Sequence, residues 1–108
     1  MDINPSKAID YIITNSGKYA EAKANRVYIE QFLKSKKAML MAETAGKSVA
    51  AAEVDALAHR EYIELLEGLK AAIEVEEKLK WMLTAAQAKV EVWRSLEASA
   101  RVVDRATH

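Results

Sequence analysis

Lys18–Lys37 reads KYAEAKANRVYIEQFLKSKK, and Glu61–Glu77 reads EYIELLEGLKAAIEVEE. The first stretch carries six basic residues (Lys18, Lys23, Arg26, Lys34, Lys36, Lys37) against Glu21 and Glu30. The second carries six acidic residues (Glu61, Glu64, Glu67, Glu74, Glu76, Glu77) against Lys70. Neither contains proline, and both are built from residues that lose little side-chain freedom in a helix. If the chain reverses between them, basic and acidic stretches lie antiparallel and face each other. An exposed ion pair is worth about 0–1 kcal/mol, so this pattern selects a register more than it supplies stability.

The flanking sequence supports two long helices. Asn4-Pro5 reads as a helix start, because Asn caps well and proline at the first helical position gives up no needed N–H. The first helix is expected over about residues 5–44. Asn15-Ser16-Gly17 is its weak point, where a kink is conceivable but continuation is expected. Ala20, Ala24, Val27, Tyr28, Phe32 and Leu40 recur at helical spacing and predict the buried stripe. Gly46 is expected just past the helix end. Ser48 is placed to cap a short helix over residues 49–58, and His59-Arg60 marks a softer break. The last helix is expected over about 61–103. Tyr62, Leu66, Leu69, Ile73, Leu83, Ala86, Val90 and Trp93 form its main stripe, widened by Leu65, Ala72, Leu79 and Leu96. These spacings do not form a strict heptad. Glu30–Lys34, Glu74–Lys78, Glu76–Lys80 and Glu97–Arg101 are favourable pairs four residues apart. The expected fold is all-α: a single helical domain over residues 1–108, built as a coiled-coil-like antiparallel hairpin of long helices with a short connecting helix.

Composition narrows the function classes. Sixteen basic and sixteen acidic residues cancel, which argues against a generally basic nucleic-acid binder and against an acidic DNA mimic. The absence of cysteine removes disulfides, thiolate metal sites and a cysteine nucleophile. No apolar run approaches the ~20 residues that span a bilayer, and Met-Asp-Ile-Asn-Pro lacks the character of a signal peptide. A cytoplasmic protein with no membrane association is expected.

The chemically suggestive motifs have simpler explanations. Gly46-Lys47-Ser48 resembles the end of a phosphate-binding loop, but Met41 stands where the first glycine belongs and a helix stands where the strand belongs. The glutamate series lacks the Glu-x-x-His pairs of di-iron bundles, so it reads as an ion-paired surface and no metal is expected. His59, at a helix junction, reads as a capping or surface residue rather than a general base. No cofactor and no catalytic residue is expected.

Two kinds of contact surface are expected instead. A lone hairpin leaves Ile12, Ile29, Leu33, Met39, Trp81 and Val92 over, which predicts that a second copy or another protein covers a further face. The simplest assembly is a homodimer forming a four-helix bundle. Trp81, Met39, Leu33 and Val92 are the candidate protein-interface residues. Trp93 reads as core. The basic cluster Lys34, Lys36 and Lys37, with Lys23 and Arg26, is the candidate nucleic-acid contact.

The segment from Tyr19 to Met41, YAEAKANRVYIEQFLKSKKAMLM, and the piece EVWRSLEAS from Glu91 to Ser99 resemble stretches of small uncharacterised helical proteins of tailed bacteriophages. That resemblance implies a host-cytoplasm setting and an accessory role encoded near recombination or replication functions. No catalytic residue is defined for such proteins, so none is carried over. The expected function is that of a non-enzymatic interaction protein. It self-associates and binds a protein partner, such as a recombination, replication or host-modulating factor. The alternative is a nucleic-acid-binding accessory factor that uses the basic side of the first helix.

Overall fold

The computed structural model describes residues 2–107 and is all-α. Three helices follow in order: α1 (Pro5–Ala42), α2 (Val49–Ala58) and α3 (Arg60–Thr107), with no strand among the described residues. α1 starts as the sequence implies. Asn4 accepts the Lys7 N–H on its side-chain oxygen at 3.1 Å and the Ala8 N–H on its carbonyl at 3.2 Å. α1 runs unbroken through Asn15-Ser16-Gly17. The polar side chains there do not compete with the helix, because they bond back onto it. The Asn15 side-chain amide donates to the Tyr11 carbonyl at 2.8 Å, and the Ser16 hydroxyl donates to the Ile12 carbonyl.

The end of α1 tightens into bonds three residues apart, from the Glu43 N–H to the Leu40 carbonyl and from the Thr44 N–H to the Met41 carbonyl. A turn over Thr44–Lys47 follows, closed by the Lys47 N–H on the Thr44 carbonyl at 3.3 Å. Gly46 is the third residue of that turn, with φ +90°. It is therefore not the residue that ends α1; it supplies the left-handed backbone that the reversal needs. Ser48 caps α2, its hydroxyl accepting the Ala51 N–H at 3.2 Å. A single extended residue, His59, separates α2 from α3. Its N–H closes α2 on the Ala56 carbonyl, its carbonyl accepts the Ile63 N–H, and its Nδ1 accepts the Glu61 N–H at 3.1 Å. One residue thus ends one helix and starts the next.

The contacts gather into two compact units, Met1–Ala20 with Glu77–His108 and Glu21–Glu76. In the unit Glu21–Glu76, α1 and α3 run antiparallel. Arg26 reaches Glu76, and ten residues further along α1 Lys36 reaches Glu61, fifteen residues earlier on α3. Leu33 and Leu40 on α1, Ala52 and Ala56 on α2, and Ala72 on α3 are its buried apolar residues. In the other unit, Ala8 and Ala86 are buried. Tyr11, Ile12 and Tyr19 on α1 and Leu79, Leu83 and Val90 on α3 are half-buried.

The burial pattern corrects the expected stripes. Along α1 the seam positions are Ala8, Ile12, Asn15, Tyr19, Ala22, Arg26, Ile29, Leu33, Lys36 and Leu40, with Tyr11, Glu30, Phe32, Lys37 and Met41 half-buried beside them. Along α3 they are Tyr62, Leu65, Leu69, Ala72, Glu76, Leu79, Leu83, Ala86 and Val90. Among these seam positions steps of three and four alternate, a heptad spacing that α3 keeps throughout and α1 broadens. Ala20, Ala24, Val27 and Tyr28, expected inside, are exposed, as are Leu66, Ile73 and Trp93. On α3 the seam keeps Tyr62, Leu65, Leu69, Ala72, Leu79, Leu83, Ala86 and Val90 of the expected stripe and drops Leu66, Ile73, Trp93 and Leu96, whereas on α1 only Leu40 is kept and Phe32 lies half-buried beside the seam. The seam includes Asn15, Arg26, Lys36 and Glu76, which apolar patterning excludes.

Truncation should separate the seam from the surface. Leu40, 2% exposed, should cost about 2–4 kcal/mol as Leu40→Ala in urea unfolding. Ile13, 71% exposed on the same helix, should change stability by no more than about 0.5 kcal/mol as Ile13→Ala. Equal costs would show that the seam is misplaced.

Candidate interaction surface

The charged side chains on the seam hold each other. The Arg26 guanidinium grips the Glu76 carboxylate with two bonds, from Nε at 2.6 Å and from Nη2 at 2.9 Å, while Nη1 reaches Glu30 at 3.0 Å. Glu76 is 6% exposed, the one charged residue buried among the described residues. A bidentate fork is the geometry in which a guanidinium best replaces the water that a buried carboxylate loses. The bond to Glu76 raises the Arg26 pKa above its ordinary value. Partial burial opposes that rise, and Glu30 adds to it. Glu30 therefore turns back to Arg26 rather than forward to Lys34.

The candidate nucleic-acid residues divide. Arg26 is engaged as above, Lys36 binds Glu61 at 2.7 Å, and Lys37 binds Glu53 of α2 at 2.8 Å. Lys23 and Lys34 are exposed and have no ion pair among the described residues. Three of the five candidate cations are thus paired with glutamates of the same unit. Glu61 pays back the contact: the Lys36 hydrogen bond first, and its charge second, hold the Glu61 carboxyl below its usual range.

The candidate protein-interface residues also divide. Leu33 is buried between the helices, so it belongs to the core and is not available to a partner. Met39 and Val92 are exposed. Trp81 is 62% exposed and held in place: its indole N–H donates to Glu77 at 3.1 Å, and the Lys80 ammonium lies 5.6 Å from the ring centre. Apolar patterning missed Tyr28 as a surface residue. Its ring is exposed and lies parallel to that of Phe32, centroids 6.1 Å apart at 9°. It also missed Ile63, Leu66 and Ile73, all exposed on α3. The signal for them was present, since each follows a seam position by one residue. In the unit that holds both chain ends, every described residue of α3 from 91 onward is exposed, including Leu96, Val102 and Val103.

The remaining motifs serve the fold. Lys47 pairs with Asp55, and Ser48 caps α2, so both polar side chains of Gly46-Lys47-Ser48 hold the connecting helix. The clefts are shallow grooves between helices. One is lined by Ile29, Phe32, Leu65 and Gly68 beside the Lys36–Glu61 pair, and another by Ala8, Tyr11, Met82 and Ala86. Among the described residues, no three of His, Asp and Glu gather as a metal-holding group. No described helix is long and apolar enough to cross a membrane. Comparison with family models, characterised proteins and solved structures finds no match.

Two measurements test this electrostatic arrangement. Arg26→Leu and Glu76→Leu should each destabilise, because each breaks the two-bond grip between the charges on the seam. The double variant should lose less than the two single losses added together in a double-mutant cycle. Additive losses would mean that the pair is not coupled. Glu61 has a depressed pKa in the folded chain, so its contribution is present above the unfolded carboxyl value of about 4.3 and is lost as pH falls below it. Lys36→Met should therefore flatten the acid side of the stability curve below about pH 4.3. An unchanged acid limb would show that the Lys36–Glu61 contact does not contribute.

Proposed function

We propose that this chain is a non-enzymatic helical interaction protein that self-associates and presents surface to a protein partner. The observation that carries the reading is the number of large apolar side chains left outside a well-formed seam. Ile63, Leu66 and Ile73 lie exposed in the unit Glu21–Glu76, and Trp81, Leu96 and Val102 in the unit that holds the chain ends. Scattered single apolar residues are ordinary on a protein surface, but apolar residues recurring on one side of a helix mark a contact. Trp81 has the character of an anchor, being large, amphipathic and already restrained by Glu77 and Lys80. In the setting implied by the resemblance to phage proteins, the partner is a recombination, replication or host-modulating factor in the host cytoplasm.

The nucleic-acid alternative has less support, because Arg26, Lys36 and Lys37 are committed to glutamates within the chain. Spending them on phosphates requires breaking those pairs.

Sedimentation equilibrium should give a mass above that of one chain at micromolar concentration. A single-chain mass with full helicity sinks the self-association. Affinity capture from phage-infected lysate should retain a protein that Trp81→Ser fails to retain. Capture of DNA instead, lost steeply with added salt and abolished by Lys36→Glu with Lys37→Glu, would establish the nucleic-acid reading in its place.

A further inference from the structure

Because α1 and α3 are antiparallel in the unit Glu21–Glu76, residues one step past the seam on either helix project to the same side of the pair. On α3 that side carries Ile63, Leu66, Lys70 and Ile73, which repeat the seam's alternating steps of three and four. On α1 it carries Lys23, Val27 and Lys34. Val27, Ile63, Leu66 and Ile73 make an apolar strip, exposed throughout. The free charges beside it have one sign. Lys23, Lys34 and Lys70 have no ion pair among the described residues. Glu30 and Lys37, on the same side, are bound to Arg26 and Glu53. Glu67 and Glu74 stand midway between successive seam positions, which places them on the side of α3 turned away from α1. At the stagger set by Lys36 and Glu61, Lys34 lies level with Ile63 and Val27 with Lys70, and Lys23 lies one residue's rise from Ile73. Lysines therefore border the strip on its α1 side and on its α3 side.

We propose that this face receives a helix of a partner protein, one whose apolar stripe is bordered on both sides by aspartate and glutamate. The proposal rests on the protein-partner reading above and supplies that partner's chemistry. Charge complementarity selects the sign. Carboxylates on the occupant meet Lys23 and Lys34 along one border and Lys70 along the other, whereas a basic helix, or the same face of a second copy, sets lysine against lysine. Spacing selects a helix. Leu66 and Ile73 are one heptad apart, so apolar side chains at the same spacing on a third helix laid along the pair meet both. From Ile63 to Ile73 the strip is about 15 Å long, close to three turns of such a helix. Its aliphatic character selects protein over nucleic acid. Tyr28 and Phe32 each precede a seam position and so lie round the other side of the pair, leaving no ring among these lysines on which a base could stack. The lysine stems extend the apolar floor while their ammonium groups stay in water to meet the occupant's acids.

The test is selection from a displayed library of helical peptides of about 16 residues, with leucine fixed at heptad spacing and the flanking positions free. The full wild-type chain as bait should enrich aspartate and glutamate at the flanks. An enriched peptide, titrated by fluorescence anisotropy, should bind at least about tenfold more weakly to the variant Lys23→Glu with Lys34→Glu and Lys70→Glu. Leu66→Ser with Ile73→Ser should abolish its binding. With the charge-reversed variant as bait, the flanks should turn to lysine and arginine. Every substituted residue is exposed, and circular dichroism checks the helicity of each variant. If the triple variant loses helicity, Lys34→Gln with Lys70→Gln takes its place. Enrichment of basic or uncharged flanks, enrichment of no peptide, or binding indifferent to both sets of variants overturns the proposal. A wild-type dimer in sedimentation velocity that Leu66→Ser with Ile73→Ser disperses assigns the face to a second copy and overturns it too. A failed selection beside a lysate protein retained through Trp81 overturns this face and leaves the protein-partner reading standing. Lysate capture that yields DNA and no protein overturns that reading itself.

Discussion

Arg26 and Glu76 occupy positions where two helices ordinarily place leucine. A lone charge there would be driven toward water and would pull the helices out of register. The bidentate grip at 2.6 and 2.9 Å removes that conflict, with Glu30 completing the guanidinium's partners. Sliding α3 by one heptad toward the turn would separate the pair and set the Glu76 carboxylate opposite Leu33, seven residues on from Arg26. The pair thus contributes less by its own strength than by the penalty it attaches to every other register. Lys36–Glu61 repeats the logic nearer the turn, in a more exposed place and with correspondingly greater screening by solvent.

The reversal itself depends on small contacts used economically. The Thr44–Lys47 turn needs one positive φ, and Gly46 provides it. Ser48 then caps α2, and Lys47–Asp55 and Lys37–Glu53 tie α2 to its neighbours. His59 serves both adjoining helix ends without proline or glycine. Its extended backbone breaks the helix, and its ring nitrogen replaces one of the carbonyls that the start of α3 lacks.

A narrow seam leaves most side chains outside. Where those are alanine, lysine and glutamate, the surface is ordinary. Where they are Ile63, Leu66 and Ile73, or the restrained Trp81, the chain keeps apolar area in water that its own fold offers no means to cover. The proposed role follows from this surplus. A protein whose helices satisfy their backbone bonds internally can afford a thin core, and its remaining apolar area is then available for contact with other chains.

The sequence by itself determined the helices. Their starts were legible in Asn4-Pro5 and Ser48, the break in His59, and the antiparallel pairing in the opposite charge of Lys18–Lys37 and Glu61–Glu77. These are local or long-range electrostatic properties, written in residue type and spacing. Which side of each helix faces inward was decided only by tertiary structure. Apolar periodicity placed Val27, Tyr28, Leu66 and Ile73 inward together with Leu40, Leu65 and Leu69; the fold leaves the first four exposed and brings Leu33, Arg26 and Glu76 onto the seam. A single helix cannot reveal that choice, because the cost of placing Arg26 inward vanishes only when Glu76 is already opposite it. The interface residues were half legible for the same reason. Trp81 and Met39 stand outside under either choice, whereas Leu33 moved inside and Ile63, Leu66 and Ile73 came to the surface.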